Sequence, residues 1–161
     1  MPEPPVEEAE VVREQLGNLS YPSDLGPDGR VQLQNGVFEA EEPDDPTSRL
    51  VVRLTDYMAE GDLNGDGRED VAVILESSSG GSGSFMDLAA VLNTPEGLKP
   101  VAVADLGDRT DIRKMALEDG KVEIELIAHG PNDPVCCPSQ LQRREFRLDG
   151  NQWIASDQRA P

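Results

Sequence analysis

The sequence predicts a mainly β domain: an antiparallel meander, closed as a barrel or packed as a sandwich, with one amphipathic helix at its N-terminus. Three observations carry this. From residue 31 onward the hydrophobic pattern has a period of two, as in half-buried strands. Short turn signals separate the runs, at Asn35-Gly36, Asp119-Gly120 and Asp149-Gly150-Asn151. No helix-period segment lies between the runs, so βαβ crossovers are excluded and antiparallel pairing is expected.

Residues 1–5 read as a flexible leader, 6–156 as one domain and 157–161 as a tail. Met1-Pro2-Glu3-Pro4-Pro5 has no basic n-region and no apolar h-region, so it is not itself a signal peptide. A Pro/Glu-rich start is expected of a tether that follows a removed signal or lipid-anchor segment. Val6, Ala9, Val12, Leu16 and Leu19 recur at spacings of three and four, which predicts a helix ending near Gly17. Pro22, Gly26, Pro27 and Gly29 then break the chain.

Val31 to Gln34 and Val37 to Glu39 flank Asn35-Gly36 as a hairpin. Glu41 to Thr47 reads as an acidic loop, and Leu50 to Leu54 as the next strand. Val71-Ala72-Val73-Ile74-Leu75 is continuously apolar, which predicts a central strand buried on both faces. Ser77 to Ser84 is a loose Gly/Ser loop. Strands follow at Phe85 to Asn93, Val101 to Ala104, Ile112 to Leu117, Val122 to Ile127, Glu145 to Leu148 and Gln152 to Ile154.

Composition narrows the function. The 161 residues carry 14 basic and 32 acidic side chains, a formal charge of −18. That field repels phosphate backbones and anionic membrane surfaces, so nucleic acid is excluded as a partner. No apolar run approaches the roughly 20 residues of a membrane span. With only six aromatic residues, the core must be built from Val, Leu, Ile and Ala.

The most informative segment is Asp62-Leu63-Asn64-Gly65-Asp66-Gly67-Arg68-Glu69-Asp70, read as a Ca2+ loop. Calcium takes six to eight oxygen ligands in a flexible shell. Asp62, Asn64 and Asp66 place side-chain oxygens at alternate positions, and Gly65 and Gly67 let the backbone curl round an ion. Arg68 would contribute its backbone carbonyl, and Asp70 would close the shell directly or through water. The first six positions follow the EF-hand pattern. The match then fails, because Val73 stands where a bidentate Glu is needed and a strand follows instead of a helix. The plainer alternative is an Asx- and Gly-rich turn that binds nothing. Three acids within one small loop would then repel each other. The loop looks like the Asp-x-Asn-x-Asp-Gly-x-x-Asp loops between strands of integrin-like (FG-GAP-type) repeats, which are structural sites.

The segment from His129 to Pro138 holds the chain's two cysteines, Cys136 and Cys137, side by side among three prolines. Adjacent Cα atoms lie about 3.8 Å apart, closer than ordinary disulfide geometry. Three readings compete: a strained vicinal disulfide in an oxidising compartment, two reduced thiols, or a metal site with His129 and Asp133. The last lacks the spacing of zinc motifs. His129, the single histidine, reads as structural beside a turn, with a general base as the alternative. Ser82 and Ser84 do not form a nucleophile elbow. Asp108-Arg109 reads as a turn with a local ion pair, or as part of a ligand pocket. Ser82, Ser84, Arg109, His129 and Asp133 form a candidate ligand surface, where the Ser77–Ser84 and His129–Pro138 loops would converge.

Four segments in this order are Gly61 to Gly67, Gly80-Gly81-Ser82-Gly83-Ser84-Phe85, Leu106 to Arg109, and His129 to Pro138. Over residues 20–155 the chain thereby resembles a group of small secreted or lipid-anchored bacterial domains without an assigned activity. The resemblance implies an extracytoplasmic location (periplasm, cell surface or secreted) and a cysteine pair integral to the domain. It implies no reaction. The expectation is a calcium-stabilised, non-catalytic binding or accessory domain, not spanning a membrane, whose partner is a small molecule, glycan or protein at the cell surface. The alternative is a periplasmic enzyme, either a hydrolase or a thiol-redox protein using Cys136 and Cys137.

Overall fold

The computed structural model describes residues 14–23, 29–42, 45–79, 84–134 and 137–156. Eleven strands dominate them. These are β1 (Ser20–Pro22), β2 (Arg30–Gln32), β3 (Val37–Glu42), β4 (Asp45–Gly61), β5 (Asp70–Ser79), β6 (Phe85–Thr94), β7 (Gly97–Asp108), β8 (Asp111–Glu118), β9 (Lys121–Ala128), β10 (Gln140–Asp149) and β11 (Gln152–Ala155). They form three antiparallel sheets: a pair β1-β2, a five-stranded β3-β4-β5-β6-β7 and a four-stranded β11-β10-β9-β8. The two larger sheets are pure meanders, as expected from strands joined by short turns.

The turn residues explain the meander. Asn35 and Gly36 have φ of 52° and 86°, and Asp119 and Gly120 have φ of 53° and 77°. Positive φ at both central positions is the geometry that matches the twist of two flanking strands. The arms of the first hairpin diverge, however. Only Gln34 and Val37 bridge, while β2 pairs with β1 and β3 with β4.

The predicted central strand is central. Val71, Ala72, Val73, Ile74 and Leu75 of β5 are all buried. Their alternation divides them between two cores. Ala72 and Ile74, with Leu88, Ala90 and Leu92 of β6, face Ile112, Val122, Ile124, Leu126 and Phe146 of the four-stranded sheet. Val71, Val73 and Leu75, with Ala89 and Val91, face Leu16, Tyr21, Val31 and Leu33 from the N-terminal segment. The large sheet is thus covered on both faces, and its inner strands read as continuous apolar runs for that reason.

The N-terminal helix requires correction. Among the described residues only Glu14, Gln15 and Leu16 are helical, a single turn followed by Gly17 and Asn18. The rest of the expected helix, with Val6, Ala9 and Val12, lies outside the described residues. The turn is held by backbone contacts instead of by helical length. Gly36 donates its N–H to Gly17 at 2.8 Å, and Leu33 donates to Leu19 at 3.1 Å. Tyr21 donates its hydroxyl to the Leu16 carbonyl at 2.7 Å, and burial pushes that hydroxyl's pKa up.

The outer face of the four-stranded sheet is a charge ladder. Arg143 pairs with Glu123 at 3.1 Å and Glu125 at 3.6 Å, and Lys121 with Glu145 at 3.4 Å. The diagonals matter here, because Glu123 and Glu145 stand directly opposite each other in the register. No helix among the described residues is long and apolar enough to cross a membrane.

Candidate metal centre

The acidic loop connects β4 to β5, at the point where Gly61 and Asp70 pair across the two strands. It folds as a chain of side-chain-capped turns. Asp62 accepts the N–H groups of Asn64 (3.3 Å) and Gly65 (2.8 Å) on Oδ1 and that of Gly67 (2.9 Å) on Oδ2. Asn64 Oδ1 accepts from Asp66 at 3.3 Å, and Asp66 Oδ1 accepts from Arg68 at 2.8 Å. Gly65 and Gly67 sit at φ of 77° and 83°, a region in which a Cβ would be strained. The amides, Gly67's foremost, hold the Asp62 carboxyl below the usual carboxylate range.

Two residues fasten the loop to the body of the protein. Leu63, the loop's one apolar side chain, is buried in the core between the large sheets. Asp70 is fully buried and accepts two backbone N–H groups at 2.8 Å, from Leu63 on Oδ2 and from Asn93 on Oδ1. It therefore ties the loop, the start of β5 and the end of β6 together. A Cβ on Gly61 would come within 2.5 Å of Leu117 Cδ2, so the loop leaves β4 in close contact with β8.

Asp62, Asp66 and Asp70 each offer a carboxylate oxygen, and the three atoms lie within 4.8 Å of one another. Among the described residues, none of the ion pairs reaches these three carboxylates. Beside them, burial and then a hydrogen bond with Glu69 push the Glu60 carboxyl up. The neighbourhood is thus crowded with acid, and its donor set is all oxygen, which fits a hard cation. Asn64 is turned toward the Asp66 amide, and the Arg68 amide toward Asp66.

The other expected site residues that are described fall into two groups, Ser84 with Arg109 and His129 with Asp133. Ser84 and Arg109 do meet: Ser84 donates its N–H to Asp108 Oδ1 at 3.0 Å, and its carbonyl accepts the Arg109 N–H. Arg109, at φ of 54°, pairs with Asp108 at 2.8 Å, so this is the turn with a local ion pair. Asp133 closes its own loop by accepting the Gly130 N–H (2.7 Å), the Ser139 N–H (2.8 Å) and the Ser139 hydroxyl (2.7 Å). These bonds, Gly130's first, lower its pKa, and the charge of nearby His129 adds to the effect. Ser82 and Cys136 lie outside the described residues. Cys137 donates its N–H to Pro134 at 3.0 Å, and there is no free cysteine among the described residues.

The expected convergence of the two loops is not what forms the main groove. A groove of about 760 Å³ runs instead along β7, between β1 on one side and the β10–β11 turn on the other. Arg109, His129 and Asp133 do not line it. Leu63 carries a signal that sequence reading could have used, since an apolar residue inside an acidic loop calls for a buried seat. Asn93 carries none, because its role depends on the register of β6 against β5.

No family model matches the chain, and neither a curated protein nor a solved structure does.

Proposed function

We propose that this chain is a calcium-stabilised, non-catalytic binding or accessory domain that works outside the cytoplasm. The observation carrying the reading is the convergence of Asp62, Asp66 and Asp70 within 4.8 Å at the β4–β5 junction. Ca2+ there would offset two of the three carboxylate charges and bond the curled loop to the buried start of β5. The ion would supply rigidity and no chemistry of bond breaking. A place outside the cytoplasm suits such a site, because extracellular calcium modules bind with a Kd of roughly 10⁻⁴–10⁻³ M and stay empty in most cytosols. The resemblance to secreted and lipid-anchored bacterial domains with an FG-GAP-type loop points the same way.

In the same reading Cys136 and Cys137 form a vicinal disulfide that stiffens the loop clamped by Asp133. Mass spectrometry after alkylation, with and without reductant, tests this through a loss of two protons in the oxidised form.

The calcium reading is tested by thermal unfolding. Millimolar Ca2+ should raise the melting temperature, since a ligand at about one to ten times its Kd adds about 0.4–1.4 kcal/mol. EDTA should reverse this, and Asp66→Ala should abolish it. An Asp66→Ala protein that responds to Ca2+ as the parent does would falsify the assignment.

A further inference from the structure

We propose that Asn35 is a self-modifying site: the Gly36 backbone nitrogen displaces the Asn35 side-chain amide, at a pace set by the N-terminal turn. The chain has two Asn-Gly steps, Asn35-Gly36 and Asn64-Gly65, and both asparagines are exposed. A glycine after the asparagine leaves the attacking nitrogen uncrowded, because it has no Cβ. The Gly36 nitrogen gives up its proton and bonds to Asn35 Cγ. The Cγ–NH2 bond breaks, and ammonia leaves carrying that proton. Water then opens the cyclic imide at either of its carbonyls. The product is aspartate, or isoaspartate with one extra methylene in the main chain. Water is the only co-reactant.

The surroundings separate the two steps. Asn64 Oδ1 accepts the Asp66 N–H at 3.3 Å, and the Gly65 N–H is held on Asp62 Oδ1 at 2.8 Å. The carboxylates of Asp62, Asp66 and Asp70 converge in the same loop. The deprotonated nitrogen and the tetrahedral intermediate are both anionic, so that loop opposes them. The Asn35 side chain, in contrast, makes no hydrogen bond among the described residues. It borders a cavity of about 380 Å³, shared with Arg53 and Glu14, one charge of each sign. Such a space is roomy enough for the water that opens the imide.

What restrains Asn35 is the turn at residues 14–18. Gly36 donates its N–H to the Gly17 carbonyl at 2.8 Å, and Asn35 donates its N–H to Asn18 Oδ1 at 3.1 Å. The attacking nitrogen is therefore occupied while the turn is seated and released when it lifts. Local opening of this kind costs less than unfolding the whole domain. Isoaspartate lengthens the main chain between those two donors, so the turn seats less firmly after the reaction.

The test incubates the full chain in mildly alkaline buffer with EDTA and follows both steps by peptide mapping and mass spectrometry. EDTA strips any ion from the acidic loop, so the outcome is independent of the calcium reading. In urea, with the chain unfolded, the two steps should react at similar rates. In the folded chain both should slow, and Asn35 should be lost before Asn64. Asn18→Ala should speed the loss at Asn35 about two- to tenfold, the population shift expected from cutting one neutral hydrogen bond. Tyr21→Phe cuts the Leu16 hydrogen bond without touching the reacting atoms, and should act in the same direction. Trp153→Phe, which cuts the bond to Leu88 in the other core, should leave the rate within about twofold, because a local opening governs it. The proposal is overturned by any of four results: no loss at Asn35 in the parent and in Asn18→Ala, loss at Asn64 first, a folded rate at Asn35 equal to that in urea, or equal acceleration by Trp153→Phe.

Discussion

Asp70→Ala tests the view that Asp70 is a structural joint in its own right. In the parent, both carboxylate oxygens accept a backbone N–H at 2.8 Å, one from the loop and one from the end of β6. A hydrogen bond to a charged group contributes about 1.5–3 kcal/mol. Alanine removes two such bonds and leaves two amide donors without an acceptor. Water can reach the half-buried Asn93 amide more readily than the Leu63 amide, so the expected loss is about 3–5 kcal/mol rather than the full sum. For a domain of this length that corresponds to roughly 6–20 °C in melting temperature. The assay is urea and thermal unfolding in EDTA, so that no bound ion contributes. Asp70→Asn should lose about half as much, because its amide oxygen can serve one donor but not both. An Asp70→Ala protein within about 1 kcal/mol of the parent in EDTA would refute the reasoning, since hydrogen bonds of this kind cannot cost less when cut together.

Three further outcomes follow from the packing and the titrating groups. Gly61→Ala should destabilise by about 1–3 kcal/mol through its clash with Leu117, and the cost should shrink in a Leu117→Ala background. Tyr21→Phe should lose about 0.5–1.5 kcal/mol with the Leu16 hydrogen bond. It should also resist alkali better. Tyr21 holds its proton more tightly folded than unfolded, so the parent loses stability as pH rises past about 10. Asp133 has the opposite sign. Its folded pKa is lowered, so its contribution is present above about pH 4 and fades as pH falls through the folded value. Asp133→Asn should flatten that part of an acid unfolding curve.

The residues differ in how openly they announce their place. Val71 to Leu75 declared a central strand because five consecutive apolar residues can only be buried on two faces. Asn35-Gly36 and Asp119-Gly120 declared their turns because few other residues accept positive φ. The curl of the acidic loop was legible for the same reason, through Gly65 and Gly67. Length was less legible. β4 runs on to Gly61 past a register shift between Leu54 and Met58, and no simple alternation survives such an irregularity. β1 was read as a break because Pro22 ends it, and its pairing with β2 is fixed by contacts eight to twelve residues apart. The groove on β7 was invisible, because it arises where three separate sheets meet.

The N-terminal layer has a consequence for how the domain comes apart. Leu16, Tyr21, Val31 and Leu33 roof the second core, yet the strands that carry Tyr21 and Val31 are three residues each. So short a ribbon is the cheapest seam in the molecule to open. Lifting it would uncover Val71, Val73, Leu75, Ala89 and Val91, a continuous apolar surface on the five-stranded sheet. An apolar surface of that kind, once open, is prone to self-association. A domain boundary drawn after Leu33 would release a sticky half-molecule, however intact its acidic loop.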